Sequence, residues 1–543
     1  MKRFPIRSLC TALLLTSVLA GCGVASPNAT SPDSNSKSAE TVKNGTKEQK
    51  LRLNIKTEPP TADPGLAQDA ISMAVARSAF DGLIRLGEDG KLHESVAESY
   101  AISDDLKTYT FKLRNSTWSN GDAVTAKDFE YAWKRVLDPK TGSEYAYQLY
   151  YIKNGQKANA KTVPLDQVEV RALDDKTLEV QLENPTPFFL ELLSSVTYYP
   201  VNQKVVESNE KWANDASTLV GNGPYIMKEW QHKSKITFEK NPTYWDKENV
   251  KLEKLEFNMI EDSTTELSMY DNNELDWSGS PLGDIPSDAI GTLKDKLHTQ
   301  ATAGTYWYVF NTKKAPFNNK KIRQAFAYAM NRQELIDNIV QTGGTAALGI
   351  LPPSMSLNPS GYFKENNVEK AKKLLAEGLK EEKLSKLPEV ELLYNTDELH
   401  AKLAQAIQDQ WRKTLNVEVK LKNMELKVVR EAMKEGSFQI ARASWIGDFN
   451  DPINFLEVFK AEGGSNKSGW SNSTYTEILS QSSAEGNQEK RKELLKQADT
   501  MIMDEMPVTP IYYYTYKWLQ KDDVKGVVID ALGFVDYKYA RRE

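Results

Sequence analysis

The sequence predicts an α/β protein built from more than one lobe. Three observations carry that expectation. Strand-like alternations and amphipathic helical runs follow one another along the chain, the pattern of mixed layers. Beyond the first 50 positions roughly 490 of the 543 residues remain, enough for two to four domains. No internal repeat of 20 to 50 residues is visible, so a solenoid is not expected.

The elements follow in chain order. Leu51 to Thr57 alternates apolar and polar residues, as a half-buried strand does. Thr108 to Arg114 and Thr177 to Leu182 do the same. Between them Thr125 opens a helix as its N-cap, with Phe129, Trp133 and Val136 on one face and Asp138-Pro139 as the stop. The C-terminal half is richer in helix. Asn319 to Val340 carries Ile322, Phe326, Met330, Leu335 and Ile339 at helical spacing. Val368 to Leu379, Glu398 to Leu415 and Gln488 to Met503 read as amphipathic helices. Val390 to Tyr394, Val417 to Leu421, Gln439 to Trp445 and Val508 to Tyr516 read as strands. Asp451-Pro452 has the form of a helix start, with Asp as cap and Pro in the first turn.

The start of the chain reads as a targeting signal. Lys2, Arg3 and Arg7 precede an apolar run from Leu9 to Leu19, too short to span a bilayer as a mature helix. Leu19-Ala20-Gly21-Cys22 resembles a bacterial lipobox, which would make Cys22 a lipid-bearing first residue. The chain has two cysteines, and Cys10 would leave with the signal. The mature body then has neither a thiol nor a disulfide, and at this size it can bury a core without one. Residues 23 to 50 are rich in Ser, Asn, Thr and Lys and read as a flexible tether with a span of roughly 30 Å. Loss of the three signal cations takes the formal charge from −6 to −9, so no large basic patch for nucleic acid is expected.

The sequence motifs of common catalytic sites are absent. There is no nucleophile elbow, no phosphate loop with its lysine and no zinc helix. The four histidines lie far apart, without metal-ligand spacing. Gly221-Asn222-Gly223-Pro224 reads as a tight turn between lobes. Carboxylates are abundant, so the residue types of an acid/base pair are present, but no pattern selects one. That absence weighs against an enzyme, and no metal or cofactor is expected. The 24 Tyr, 17 Phe and 11 Trp suit ligand clefts as well as cores.

A set of short motifs runs through the body in order. They are Glu58-Pro59-Pro60, Phe80-Asp81-Gly82-Leu83, Trp118-Ser119-Asn120-Gly121-Asp122, Gly221-Asn222-Gly223-Pro224-Tyr225 and Asn241-Pro242-Thr243-Tyr244-Trp245. Pro316-Phe317-Asn318-Asn319, Leu393-Tyr394-Asn395-Thr396 and Trp445-Ile446-Gly447-Asp448-Phe449-Asn450-Asp451-Pro452 complete the series. With them the whole body resembles the oligopeptide-binding lipoproteins of peptide ABC importers, in family 5 of the extracellular solute-binding proteins. The resemblance implies a periplasmic-binding-protein-like fold of class II, cluster C type: two lobes joined by a hinge, plus an additional small domain. By that analogy residues 1–21 are the signal peptide and 22–50 the lipidated cysteine and tether. Lobe I takes 51–80, 206–308 and 515–543; the additional domain takes 81–205; lobe II takes 309–514.

The resemblance also implies the ligand and how it is held. Cleft strands pair with the backbone of a short peptide, and hydrated pockets accept varied side chains. Asp448 matches the family's acidic residue for the peptide α-ammonium. From spacing alone two roles stand for it, ligand group in a strand-to-helix loop or cap of a turn. Tyr145 matches a tyrosine that hydrogen-bonds near the ligand, and Trp445 an aromatic lining the cleft. A plain core role is the alternative for both. Arg442 and His400 match residues that serve the peptide's C-terminal carboxylate. Gln68 stands where some relatives carry a glutamate, which leaves no charge-based role there. The implied partners are importer permease and ATPase subunits, and the implied place is the extracytoplasmic face of a cell membrane, reached through lipid on Cys22. A monomer is expected. Relatives of this fold also bind nickel complexes, haem or oligosaccharides, and a receptor for pheromone or cell-wall peptides is a further alternative. Retention of the aspartate in this loop favours peptides.

Overall fold

The computed structural model describes residues 48–341, 344–460 and 465–543. The signal-peptide and Cys22 expectations, and nearly all of the tether, lie outside these residues.

Three larger sheets organise the body. In the first, Lys50–Asn54 runs parallel to Lys254–Asn258, which continues antiparallel to Lys235–Lys240 and then Tyr225–Gln231. The second is antiparallel, in the order Ala97–Ile102, Thr108–Leu113, Thr177–Gln181, Val170–Asp174. Its strand Thr108–Leu113 buries Tyr109, Phe111 and Leu113, the alternate residues that face the core. Beside it stands the helix Ala126–Leu137. Asp128 accepts from the backbone N–H of Thr125 at 2.8 Å, closing the N-terminus, while Phe129, Trp133 and Val136 are buried.

The third sheet has six strands, in the order Trp277–Gly279, Val508–Gln520, His298–Phe310, Ile440–Ile446, Val390–Asn395, Val419–Met424. Val508–Gln520 and His298–Phe310 are 13 residues each and pair antiparallel. Their register shifts between Ala301 and Thr305. In that gap the Ala303 N–H donates to Ala531 O, and Ala303 O accepts from the Gly447 N–H, both at 2.6–2.7 Å. The break in the ladder therefore anchors the loop that follows Ile440–Ile446.

Most of the expected elements are present within a few residues of their expected limits. The helix Glu398–Leu415 matches its expected ends, capped by Asp397. One expectation fails: Asn319 to Val340 is not one helix. Lys320–Tyr328 ends, and a new start at Asn331 leads into Arg332–Leu335 and a π turn, Ile336–Val340. The fully buried Arg332 supplies the reason. Its guanidinium donates to Ala327 O, Pro510 O and the Thr509 hydroxyl, so the chain must bend to deliver it. Local spacing holds no record of those distant acceptors.

The expected turn at Gly221-Asn222-Gly223 is instead a docking segment. A Cβ on Gly221 would stand 2.0 Å from Ala79 O, and one on Gly223 2.5 Å from Phe80 N. Asn222 and Asp81 exchange two hydrogen bonds of 2.9 Å. The Asp81 carboxylate, wholly buried, also accepts from Arg85, Ser95, Tyr244 and Trp245. Three of the sequence motifs thus meet at one residue, Asp81.

Asp499 is a second buried carboxylate, with a different balance. It accepts from the Tyr362 hydroxyl, and its other oxygen has no partner among the described residues. Burial pushes its carboxyl up to about 7, against a smaller downward pull from Tyr362. The folded protein holds this proton more tightly than the unfolded chain does. The associated stability is complete below about pH 4 and is lost as pH rises through about 7. Asp499→Asn is expected to be more stable than the wild type at pH 8, by up to about 4 kcal/mol, with the two converging near pH 4. Thermal melts across that range check this, and parallel pH profiles would refute it.

Candidate functional site

The strand Ile440–Ile446 and the loop after it carry most of the expected site. Side chains alternate across the strand, so Arg442 and Trp445 leave on opposite faces. The loop then presents Asp448 and is braced by Asp451. Both Asp451 oxygens accept from the Arg491 guanidinium, at 2.7 and 2.8 Å, and one also accepts from the Ile453 N–H as the helix Ile453–Leu456 begins. This pair is nearly buried, which suits rigid support of a neighbouring ligand group.

Asp448 is partly buried and makes no ion pair among the described residues. Burial raises its carboxyl above the usual range, and a hydrogen bond from the Tyr147 hydroxyl takes back part of the shift. Asp448, Trp445, Tyr147 and Tyr151 share a pocket of about 230 Å³. The Trp445 indole donates to Asn454 at 2.8 Å, which fixes its plane at the pocket wall. Tyr145 lies against Tyr147, ring centres 5.7 Å apart, and its hydroxyl reaches the backbone carbonyl of Gln68 at 3.4 Å. Gln68 thus enters through its main chain. Phe449 stacks on Phe188 at 4.8 Å and meets the Tyr151 ring edge-on at 6.4 Å, which ties the loop to the segment that carries the tyrosines.

Arg442 and His400 form a separate cluster on the other face of the strand. The Arg442 guanidinium lies 4.7 Å from the centre of the Tyr306 ring, donates to the Tyr514 hydroxyl at 3.0 Å, and makes no ion pair among the described residues. Its Nε is buried without a partner among the described residues. His400 packs at a tilt against Tyr306, ring centres 5.5 Å apart. Burial, then Arg442, push its imidazole down to about 4 against an opposing pull from Asp397. It is neutral at neutral pH, so Arg442 is the cation of the cluster. The structure therefore brings Asp448, Trp445, Tyr145 and the Gln68 carbonyl together, and sets Arg442 with His400 apart from them.

Sequence reasoning missed Tyr147, Tyr151, Phe449, Tyr306 and Tyr514 as site residues. The signal was density: four tyrosines fall within 145–151 and four more within 512–516. Density alone does not separate a cleft from a core.

Comparison with known proteins gives a consistent picture. Residues 91–467 match the family described as bacterial extracellular solute-binding proteins, family 5 Middle. The chain is 46% identical over 550 aligned positions to the oligopeptide-binding protein OppA of Bacillus subtilis (strain 168), covering 99% of each. Among solved structures it is similar to the unliganded open form of MppA, a periplasmic murein tripeptide binding protein, with a TM-score of 0.84 at 32% identity over 91% of this chain and 98% of that one. It is also similar to Listeria monocytogenes OppA bound to peptide, with a TM-score of 0.66 at 32% identity over 92% of this chain and 99% of that one.

Proposed function

The chain belongs to the bacterial extracellular solute-binding proteins of family 5, and from that premise we propose that it captures short oligopeptides outside the cytoplasmic membrane and delivers them to an ABC importer. One observation carries the reading. Asp448 and Arg442 are an anion and a cation of one strand and its loop, and neither has an ion-pair partner among the described residues. A peptide brings the complementary pair, an α-ammonium and a carboxylate. Each partly buried charge then gains a desolvated partner, the circumstance in which pairing contributes most. Tyr147 and Tyr145 orient the ammonium end, and Trp445 packs along the chain.

The closer superposition on an unliganded open relative than on a peptide-bound one, at equal identity, supports reading this conformation as open. Closure would then bring residues of the facing lobe onto a ligand held at this strand and its loop. No described helix is long and apolar enough to cross a membrane. The permease and ATPase subunits of the importer supply the passage, and lipid on Cys22 holds the monomeric body at the extracytoplasmic face.

Titration calorimetry on protein stripped of carried-over ligand tests this. Free tri- to pentapeptides of mixed sequence bind the wild type, while their N-acetylated forms and the Asp448→Asn variant bind at least tenfold more weakly, about 1.4 kcal/mol. Equal binding of acetylated forms would move the anchor away from Asp448. No heat with any peptide would overturn the function.

A further inference from the structure

Beside Asp448 lies a second, larger pocket of about 470 Å³. Asp448 and Glu191 both line it. Its other charged groups are matched: Arg77 pairs with Asp530 at 2.7 Å. Nearby, Arg491 is engaged by Asp451. Glu191 is different. It sits on the short helix Phe189–Leu193, and among the described residues its carboxylate has neither a cation nor a hydrogen-bond donor. Burial, then Asp451 and Asp530, raise its carboxyl to about 7, and no positive group among the described residues opposes them. The walls include Leu86, Leu192, Leu532 and Phe534.

We propose that this pocket receives the side chain of one of the first two residues of the peptide, and that Glu191 selects lysine or arginine there. The inference rests on the peptide-binding reading above and adds its side-chain preference. The shape of the chemistry is specific. A lysine or arginine side chain has an apolar stem, which suits the leucine and phenylalanine walls, and a cationic head, which Glu191 lacks. Asp448 is taken by the α-ammonium, so it does not serve the same head. A neutral side chain of equal length fills the walls and leaves Glu191 unpaired. An acidic one adds a further negative charge.

The test compares Lys-Ala-Ala and Ala-Lys-Ala with the same peptides carrying norleucine, and with Ala-Ala-Ala, by calorimetry at pH 8. In the wild type at least one lysine peptide binds tenfold or more tightly than its norleucine counterpart. In Glu191→Gln that ratio falls to within twofold, and in Glu191→Asp much of it remains. Equal affinities of the lysine and norleucine peptides for the wild type overturn the inference while leaving peptide capture intact. So does a lysine preference that survives in Glu191→Gln. If Ala-Ala-Ala and every other peptide fail to bind the wild type, the peptide reading itself falls, and this inference with it.

Discussion

Asp81→Ala is expected to destabilise the protein by about 3–5 kcal/mol, the range for removing one partner of a buried charge pair. Asp81 is wholly buried and 2.9 Å from the Arg85 guanidinium. Arg85 is itself buried and keeps Asp536 as its second partner, at 2.7 Å. That remaining contact limits the electrostatic loss. The hydrogen-bond loss is added to it. The Tyr244 hydroxyl, the Trp245 indole N–H and the Ser95 hydroxyl all donate to this carboxylate. Each is left without its acceptor in a place water reaches poorly, and an orphaned buried donor costs about 1–3 kcal/mol. Asp81→Asn keeps an acceptor and the shape, so its cost is expected to be smaller. Urea unfolding followed by tryptophan fluorescence compares the two. An alanine variant within about 1 kcal/mol of the wild type would show that the hub is dispensable.

Arg491→Met is the second large effect. It leaves Asp451 charged and nearly enclosed, with only the Ile453 N–H, 2.9 Å away, still donating to its carboxylate among the described residues. A loss of about 3–5 kcal/mol is expected. The lost pair also braces the loop that carries Asp448, so peptide affinity should fall although Arg491 does not contact the proposed ligand. The double variant Asp451→Asn/Arg491→Met removes the stranded charge, and it is expected to recover part of the stability. A double variant less stable than Arg491→Met would mean that the pair acts through geometry and not through its buried charge.

The sequence by itself determined the periodic elements. Glu398–Leu415 and Ala126–Leu137 were legible because amphipathic spacing and an N-cap are local properties of the chain. The place of Asp448 in a loop between a strand and a helix was legible for the same reason, since the alternation before it and Asp451-Pro452 after it are both local. The resemblance of short motifs pointed to Asp448, Trp445, Tyr145, Arg442, His400 and Gln68, but it carried no geometry. Tertiary structure alone decided that Arg332 breaks a helical run to reach the Pro510 carbonyl and the Thr509 hydroxyl. It also decided that Gly221 and Gly223 are glycines because the backbone of residues 79 and 80 lies against them. And it decided which charges have partners. Asp451 and Glu191 are both acidic residues in helix-forming stretches, yet one faces Arg491 and the other faces a pocket. The physical reason is that spacing records which face a side chain takes, whereas the groups that meet it there come from segments tens to hundreds of residues away.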